Sequence, residues 1–248
     1  MYILGDIGNS ETKVFLVNKN NKILKKIFFV SKPFSVQILK KKFKILIKDY
    51  TKIEKILFCS VVPKNFTSIK RFFSKKTSVK CHEMKDLNLR SLLKIKANYM
   101  QVGSDRLANA ISLINDRDNF IILDFGTATT FDVLIGNTYH GGVIAPGIKI
   151  SLNTLSDKAS LIPKINLKKM RRVVGLNTNT AVRSGFFWGY AGLIDNIINL
   201  IKKETGKSYN VVITGGLSKL FKKSIKTKVI ENKNITVRGL IKISKLIE

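Results

Sequence analysis

The spacing of apolar residues alternates along the chain between a strand-like and a helix-like period, and this alternation predicts the elements of the fold. Apolar runs typical of strands cover residues 1–30, 55–62, 78–84, 120–135, 139–147 and 210–216. Helical spacing is clearest over 35–48, where the predicted apolar face consists of Val36, Leu39, Phe43, Leu46 and Ile47. Strands that alternate with helices in this way predict an α/β fold.

The same apolar spacing, together with turn residues, predicts the other helices. They cover residues 64–74, 148–158, 178–203, 217–225, a stretch from about 105 and another from about 239. A short strand is predicted near 235–237. Ser104 directly precedes the helix that starts at about 105 and is placed to cap its first turn.

The stretch Asp124-Phe-Gly-Thr-Ala-Thr-Thr-Phe-Asp132 lies between two apolar runs and predicts a β-hairpin. Its turn, around Gly126 and Thr127, offers backbone N–H groups, hydroxyl groups and the Asp124 carboxylate, with no bulky side chain in the way. Such a set suits a nucleotide phosphate and its cation. An Asp-x-Gly sequence also occurs in ordinary hairpin turns.

The same design occurs once more, 118 residues earlier, in Ile3-Leu-Gly-Asp6-Ile-Gly8-Asn-Ser-Glu-Thr12-Lys13-Val-Phe-Leu-Val17. In that alignment Asp6 falls on Asp124, Gly8 on Gly126, Asn9 on Thr127 and Thr12 on Thr130. Repetition in a matching context favours a phosphate-binding site over a chance turn. It predicts two related halves that each open with a phosphate-binding hairpin.

A carboxylate and an arginine, Asp105 and Arg106, fall at the predicted start of a helix, after Gly103. The helix dipole stabilises a carboxylate there, which would be a purely structural role. Arginine at that end is not favoured by the dipole, so an anionic partner is expected for Arg106. The pair could therefore serve as a general base with an anion anchor, and the spacing leaves both interpretations open.

Glycines form two separate patterns in the second half of the chain. Gly185, Gly189 and Gly192 lie three or four residues apart in the longest predicted helix, so they form a small-residue face. Such a face predicts close packing against another backbone, within the chain or across a dimer. The strand 210–216 ends in Thr214-Gly215-Gly216, a third candidate contact for the nucleotide.

Composition narrows the class of protein. The chain has 248 residues, 44% of them hydrophobic, and its two cysteines, Cys59 and Cys81, form no disulfide framework. They predict buried thiols and a cytoplasmic protein. No apolar run is long enough for a transmembrane helix, and the first motif begins too early for a signal peptide. His82 and His140 lack neighbours at zinc-ligand spacing.

The formal net charge of +29 makes a nucleic-acid partner a possibility to weigh. Lysines are spread over nearly every segment, however, and no helix-turn-helix, zinc-finger or RNA-binding signature is present. The charge would also attract a small anionic substrate or ATP. Nucleic-acid binding is therefore kept as the less favoured interpretation.

Taken in order, the motifs resemble those of type III pantothenate kinases, within the superfamily of acetate and sugar kinases, heat-shock cognate proteins and actin. The resemblance rests on Asp6-Ile-Gly-Asn-Ser with Lys13, Gly103-Ser-Asp-Arg106, the Asp124–Asp132 stretch, Gly141-Gly-Val-Ile-Ala-Pro-Gly147 and Thr214-Gly-Gly216, with weaker support from Ser60-Val-Val-Pro63 and Gly175-Leu-Asn-Thr178. Each motif alone is weak, but the ordered set is specific.

The resemblance implies two ribonuclease-H-like domains, here 1–115 and 116–248, with ATP in the cleft between them, and a homodimer. It implies that ATP phosphorylates pantothenate in the first step of coenzyme A synthesis, with Mg²⁺ and a monovalent cation, K⁺ or NH₄⁺. A non-catalytic transcription accessory protein and a kinase of another small hydroxylated acceptor are the alternatives.

By the family pattern, Asp105 is the base that accepts the pantothenate hydroxyl proton. Asp124 holds the monovalent cation, and Asp6 lies near Mg²⁺. The implied ATP-binding residues are Asp6, Gly8, Asn9, Ser10, Lys13, Gly126, Thr127, Thr214, Gly215 and Gly216. The implied pantothenate-binding residues are Gly103, Ser104, Arg106 and Thr178.

One stretch departs from the family pattern. The family has a Tyr seven residues before the Gly of its Gly-x-Asp-Arg motif, followed by Asn-Pro, and here Lys96 and Asn98-Tyr99 take these places. Tyr99 could reach the pocket from a shifted backbone, or Lys96 could pair with the pantothenate carboxylate. Both are therefore candidate substrate-binding residues.

Overall fold

The computed structural model describes residues 1–247 and divides the chain into two compact units. Unit 1 comprises Met1–Ile114, Asn137–Tyr139 and the described residues from Asn234 onward, and unit 2 comprises Asn115–Gly136 and His140–Lys233. The first change of unit lies one residue from the predicted boundary at 115/116. The C-terminal segment, which the sequence interpretation placed in the second domain, groups with unit 1.

Strands and helices alternate along the chain. The strands are β1 (Tyr2–Ile7), β2 (Glu11–Val17), β3 (Ile23–Val30), β4 (Lys55–Ser60), β5 (Cys81–Glu83), β6 (Lys94–Ile95), β7 (Asn119–Phe125), β8 (Ala128–Ile135), β9 (Thr138–Pro146), β10 (Asn210–Gly215) and β11 (Val229–Glu231). The α-helices are α1 (Val36–Leu46), α2 (Pro63–Ser74), α3 (Ser104–Leu113), α4 (Ile148–Lys158), α5 (Thr178–Thr205), α6 (Ser218–Phe221) and α7 (Ile235–Ile243). Single 3₁₀ turns cover Tyr50–Lys52, Met84–Asp86, Leu89–Ser91 and Ser244–Leu246.

The two units contain sheets of the same topology. The first sheet has the strand order β3-β2-β1-β4-β5. The second has the order β6-β9-β8-β7-β10-β11, so the matching five strands are β9-β8-β7-β10-β11 and the two-residue strand β6 is added at the β9 edge. In both, the central strand pairs antiparallel with the next strand in sequence (β1 with β2, β7 with β8) and parallel with a later one (β1 with β4, β7 with β10). Both outer pairs, β4 with β5 and β10 with β11, are also parallel. The predicted α/β fold and its internal duplication are confirmed.

Each sheet packs one face against helices through apolar side chains. In unit 1, Leu39, Phe43 and Leu46 of α1 are buried against the sheet, and the Phe43 ring stacks on Phe72 of α2 at 5.1 Å. In unit 2, the long helix α5 buries residues such as Phe187 against β7 and β10. Burial of large apolar side chains is the main favourable term in holding such layers together.

One residue of the predicted α1 face is not buried. Val36 is 62% exposed because it is the first helical residue after the Ser35 cap, whose hydroxyl accepts a hydrogen bond from the Ile38 N–H group. The turn that contains Val36 therefore precedes the part of the helix that reaches the core.

Two predictions about helix ends, one for α3 and one for α6, are wrong. The cap position of α3 is Gly103, and Ser104 is already inside the helix, where its hydroxyl donates to the Ser60 carbonyl instead of capping. Helix α6 covers only Ser218–Phe221 of the predicted 217–225, and turns follow it, with the Ser224 N–H donating to the Phe221 carbonyl at 2.8 Å.

The predicted strand near 235–237 is the first turn of α7, and the strand of this region is β11, at 229–231. The β-branched residues Ile235 and Val237 are buried in that helix. Gly239 of α7 lies so close to Ala108 of α3 that an added Cβ would collide with the Ala108 backbone. Tertiary packing thus overrides the strand propensity of this segment.

The glycine face of α5 has no neighbour within the described chain. A Cβ placed on Gly185, Gly189 or Gly192 would meet no other atom within 4 Å, apart from the helix's own nearby backbone. Packing of this face inside the chain, one of the two predicted alternatives, is therefore excluded for residues 1–247. No helix in that range, α5 included, is both long and apolar enough to span a membrane.

Candidate active site

The first hairpin presents its predicted phosphate-binding residues at an open turn in unit 1. Asp6 lies opposite Lys13 on the β1–β2 ladder, and the Gly8 N–H donates to the Glu11 carbonyl at 3.1 Å. Asn9 and Ser10 are exposed at the tip. The structure therefore brings Asp6, Gly8 and Lys13 together at one end of β1, as predicted. The neighbouring strand adds Cys59, whose Sγ donates to Asp6 Oδ1 at 3.6 Å.

The end of β4 is tied to the start of α3 by two hydrogen bonds. The Ser60 N–H donates to Ser104 Oγ at 2.8 Å, and Ser104 Oγ donates to the Ser60 carbonyl at 3.0 Å. These bonds fix the first turn of α3, and with it Asp105 and Arg106, beside the end of β4. Asp105 accepts a hydrogen bond from the Arg106 N–H group at 2.8 Å, so its carboxylate is held back over the helix start.

A second carboxylate, Glu83, lies at the end of β5. Its Oε1 accepts the Ser60 N–H at 3.2 Å and its Oε2 accepts the Lys85 N–H at 2.6 Å. Lys85 Nζ in turn donates to the Tyr99 carbonyl at 3.0 Å and lies 5.0 Å from the centre of the Tyr99 ring. The Tyr99 hydroxyl donates back to the Lys85 carbonyl at 3.1 Å. Glu83, Lys85 and Tyr99 thus form one connected polar cluster.

These groups surround a cavity of about 360 Å³ in unit 1. Its lining residues are Ser60, Val61, Pro63, Phe66, Glu83, Lys85, Met100, Gln101, Val102, Gly103 and Ser104. The size lies within the usual range for small-molecule sites, and a mostly apolar wall with a few polar groups is typical of them. The predicted residues Gly103 and Ser104 line it. Lys96 and Tyr99 do not line it: Lys96 is exposed, and Tyr99 is hydrogen-bonded to the lining residue Lys85.

Burial controls the electrostatics of the cluster. It raises the pKa of the Asp105 carboxyl above its ordinary value, and the positive charges of Arg106 and Lys85 only partly oppose the rise. Burial also raises the pKa of Glu83 and lowers that of Lys85. The pKa of the Cys59 thiol is raised well above its ordinary value by burial and by the nearby carboxylates, Asp6 first among them. Cys59 is therefore a neutral hydrogen-bond donor and not a nucleophile.

In unit 2 the predicted nucleotide residues converge at the ends of two adjacent parallel strands. Thr214 pairs with Asp124 and Gly215 with Phe125 in the β7–β10 ladder. Gly215 has φ +88°, and a Cβ there would come within 2.6 Å of Asp124 Oδ1. Only glycine fits this position, because other residues rarely adopt such a φ and the space is already filled.

The turn of the second hairpin is held by backbone contacts. The Gly126 N–H donates to the Ala128 carbonyl at 3.0 Å, and Gly147, just before α4, packs so closely that a Cβ would collide with the Thr127 carbonyl. Gly126 and Gly216 remain exposed. The structure therefore places Asp124, Gly126, Thr127, Thr214, Gly215 and Gly216 at the ends of β7 and β10 and in the turn after β7. Thr178 is also in unit 2, exposed in the first turn of α5.

The polar cluster of unit 1 contains residues that the sequence interpretation missed. Neither Glu83 nor Lys85 was singled out, although both line the cavity. A signal was available in the repeat itself, because Glu83-x-Lys85 follows β5 just as Glu231-x-Lys233 follows β11.

The carboxylates suit a cation that is only partly coordinated by protein. No group of three or more His, Cys, Asp or Glu side chains within residues 1–247 is arranged to hold a metal ion by itself. Mg²⁺ in kinases is typically bound through one or two carboxylates together with substrate phosphates and water. Single carboxylates at strand ends, such as Asp6 and Asp124, fit that kind of binding.

By its duplicated fold, the protein belongs to a fold class that includes solved structures of sugar kinases. Over its full length the chain aligns with a candidate 2-dehydro-3-deoxygalactonokinase from Sinorhizobium meliloti (TM-score 0.64, 10% identity, 100% and 99% of the two chains). It also aligns with a ROK family glucokinase from Streptomyces griseus solved with glucose and AMPPNP (TM-score 0.50, 12% identity, 99% and 98% of the two chains). These likenesses concern the fold alone.

Within that class, the chain belongs to the type III pantothenate kinase family. The family model for type III pantothenate kinase matches residues 2–200. The type III pantothenate kinase of Pelagibacter ubique is 64% identical over 248 residues, which covers 100% of both chains. The resemblance drawn from the ordered motifs is confirmed.

Proposed function

We propose that this chain transfers the γ-phosphoryl group of ATP to the hydroxyl group of pantothenate and forms 4'-phosphopantothenate, the first step of coenzyme A biosynthesis. The observation that carries the proposal is the position of Asp105. Its carboxylate lies at the start of α3, directly after two residues, Gly103 and Ser104, that line the cavity of unit 1. The cavity is large enough for a small hydroxylated acid.

Asp105 acts as the general base. When ionised, its free carboxylate oxygen accepts the proton of the acceptor hydroxyl as that oxygen attacks the γ-phosphorus. The hydrogen bonds between Ser60 and Ser104 hold the start of α3 in place, so the base is pre-positioned before the acceptor arrives. Burial of the cluster limits the access of competing water. Gly103, Ser104 and Arg106 contact the acceptor in this proposal, and Thr178 is the further acceptor contact that the family pattern implies.

The ATP phosphates bind to the turn residues of the two hairpins. In unit 2, the exposed glycines Gly126 and Gly216 let phosphate oxygens approach the backbone, and the Thr127 hydroxyl is suited to bind them. Thr214 and Gly215 shape the same strand end. In unit 1, Asn9 and Ser10 at the tip, together with the charge of Lys13, play the corresponding part. Phosphoryl transfer depends mainly on positioning and charge neutralisation, which such groups supply.

Two cations complete the proposed chemistry. Asp6 would hold Mg²⁺ near the phosphates, and Asp124 would hold a monovalent cation, K⁺ or NH₄⁺. Such ions neutralise charge that develops on the transferred phosphoryl group. Within the protein, the Cys59 thiol donates to Asp6 and orients its carboxylate.

We further propose that the protein is a cytoplasmic homodimer. The buried free thiols of Cys59 and Cys81 are typical of a reducing compartment. The glycine face of α5, which has no neighbour within residues 1–247, is available to a second copy of the chain. Light scattering of the purified protein distinguishes a dimer from a monomer.

The decisive experiment measures pantothenate-dependent ATP consumption with Mg²⁺ and K⁺ in the wild-type protein, in Asp105→Asn and in the control Asp116→Asn, which changes an exposed carboxylate. Loss of the base is expected to lower kcat by at least about 100-fold and to leave ATP affinity nearly unchanged. Asp116→Asn is expected to behave as the wild type.

Two outcomes would contradict the proposal. Normal turnover in Asp105→Asn would remove Asp105 from its role as base. A wild-type protein that binds ATP but shows no turnover with pantothenate would exclude pantothenate as the acceptor, and salt-sensitive retention on DNA would then favour the accessory-protein alternative.

A further inference from the structure

The sequence Glu-x-Lys occurs at equivalent positions of the two units. Glu83 pairs with Phe58 of β4, and Glu231 pairs with Ile213 of β10. Phe58 and Ile213 each directly precede the residue that pairs with the motif aspartate of their unit, Asp6 or Asp124. The two glutamates, and the lysines two residues after them, are therefore counterparts in the duplicated fold.

The two counterpart lysines have different environments. Lys233 is 59% exposed and lies 3.9 Å from the Glu231 carboxylate, and Lys222 lies 3.8 Å from the same carboxylate. This is an ordinary surface ion pair, which contributes little to stability. Lys85 is half-buried, and its Nζ donates to a backbone carbonyl, that of Tyr99. The lysine of unit 1 thus lines a cavity, whereas its counterpart in unit 2 lies at the surface.

Lys85 retains hydrogen-bonding capacity toward the cavity. An ammonium group has three N–H donors, and the Tyr99 carbonyl takes one of them. Burial lowers the pKa of Lys85, while the charges of Glu83 and Asp105 oppose that change and favour the ammonium form. Among the residues that line the cavity within the described part of the chain, Lys85 is the one basic side chain.

We propose that Lys85 binds the carboxylate of the acceptor and so makes the enzyme selective for an acid over its uncharged analogue. The inference rests on the proposed function, because pantothenate carries its reacting hydroxyl at one end and a carboxylate at the other. Asp105 serves the first group and Lys85 the second. Tyr99 positions Lys85 through its carbonyl, its ring and its hydroxyl.

This assignment replaces the earlier candidate for the same task. Lys96 is exposed, does not line the cavity, and its backbone N–H donates to the Tyr139 carbonyl at 2.9 Å. Tyr99 belongs to the acceptor site in the new assignment, but as a positioning residue. The departure from the family pattern at residues 96–99 therefore affects how the Lys85 ammonium group is positioned.

The test compares pantothenate with the analogue in which a hydroxymethyl group replaces the carboxylate. Steady-state kcat and KM are measured for both acceptors in the wild type, Lys85→Gln and the matched control Lys233→Gln. Lys85→Gln is expected to raise KM for pantothenate by about 10- to 100-fold, the usual effect of losing a hydrogen bond between charged groups. The analogue's kcat/KM is expected to change by less than about 3-fold. Lys233→Gln should match the wild type with both acceptors.

Each other outcome has a distinct meaning. Equal losses with both acceptors, or no loss with either, would overturn the role of Lys85. A loss with pantothenate in Lys96→Gln but not in Lys85→Gln would return the role to Lys96. If Lys85→Gln fails to fold, the proposal is tested on the wild type alone. Equal kcat/KM for pantothenate and for the uncharged analogue would contradict recognition of the carboxylate. No pantothenate turnover in the wild type would sink the proposed function itself.

Discussion

The ends of β4 and β10 occupy equivalent positions in the duplicated fold, but the end of β4 carries residues with side chains and the end of β10 carries glycines. Ser60 pairs with Ile7 and Gly215 with Phe125, so the two are counterparts. The next N–H group makes the same bond in both units: Val61 donates to the Ile7 carbonyl at 3.1 Å, and Gly216 donates to the Phe125 carbonyl at 3.2 Å. The backbone path is shared, while the side chains differ.

In the proposed function, this difference adapts one fold to two ligands. In unit 1 the strand end carries Ser60 and Val61, which line the cavity of that unit, and Ser60 connects to α3 and Glu83. In unit 2 the counterparts are Gly215 and Gly216, which place no side chain at the end of β10. Side chains make a shaped cavity for a small acid, and bare backbone suits phosphates.

The two hairpins differ by one residue in their turns. The last paired residues are Ile7 and Thr12 in the first hairpin, and Phe125 and Thr129 in the second. By strand pairing the counterpart of Thr12 is Thr129, so the predicted match of Thr12 with Thr130 is wrong. Both Thr12 and Thr129 are buried, which fits the corrected match.

The largest expected effect comes from replacing Gly215 at the end of β10 with serine, the residue that ends β4. Gly215→Ser would force a side chain into a φ of +88° and against Asp124 and Phe125. The combined strain and overpacking are expected to cost about 2–5 kcal/mol of unfolding free energy and to abolish ATP binding. Denaturant unfolding and ATP titration measure the two effects.

The reverse exchange is the control for that experiment. Ser60→Gly removes a hydroxyl that accepts the Val62 N–H at 3.1 Å, so a loss of about 1 kcal/mol is expected. A Gly215→Ser protein as stable as Ser60→Gly, with unchanged ATP affinity, would show that glycine is not required at the end of β10.

A smaller effect should separate the two motif aspartates. Replacing K⁺ by Na⁺ is expected to lower the turnover of the wild type several-fold, because the proposed cation site at Asp124 favours the larger ion. Asp124→Asn should lose most of this ion preference. Asp6→Asn, its counterpart in unit 1, should lower activity but keep the preference. Equal rates of the wild type in the two salts would contradict a monovalent-cation role for Asp124.

Local patterns predicted most of the fold because they depend on neighbours in sequence. The hairpins, α1, α2, α4 and the longest helix follow from apolar period and turn residues. The errors lie where distant contacts decide, as in α7, where Gly239 packs against Ala108, a contact across more than half the chain. Such packing leaves no local mark in the sequence.

The sequence likewise predicted some residues of the candidate site and missed others. Residues in glycine motifs, such as Asp124 and Asp105, are visible because the motif is contiguous. Glu83 and Lys85 line the cavity because β5 pairs beside β4, which brings the Glu83 carboxylate to the Ser60 N–H group. The raised pKa of Asp105 likewise results from burial by residues far apart in sequence.

The smallest expected effect concerns stability and pH in the acceptor half. Burial raises the pKa of Asp105 in the folded protein above its unfolded value. The folded state therefore binds this proton more tightly, and stability falls as pH rises from the ordinary Asp value, about 4, through the raised one. Asn cannot ionise, so Asp105→Asn should be the more stable protein at pH 7.5, by about 1.4 kcal/mol for each unit of the shift.

Denaturant unfolding of the wild type and Asp105→Asn at several pH values between about 4 and 7.5 measures this difference. The advantage of the variant should shrink as pH falls through the raised pKa, because the wild-type carboxyl then becomes neutral as well. Asp116→Asn, an exposed counterpart, controls for general charge effects. An Asp105→Asn protein that is less stable at neutral pH would mean that the Arg106 N–H bond and the charges of Arg106 and Lys85 outweigh the cost of burial. The Asp105 carboxylate would then stabilise the fold, and the proposed base would carry no cost in stability.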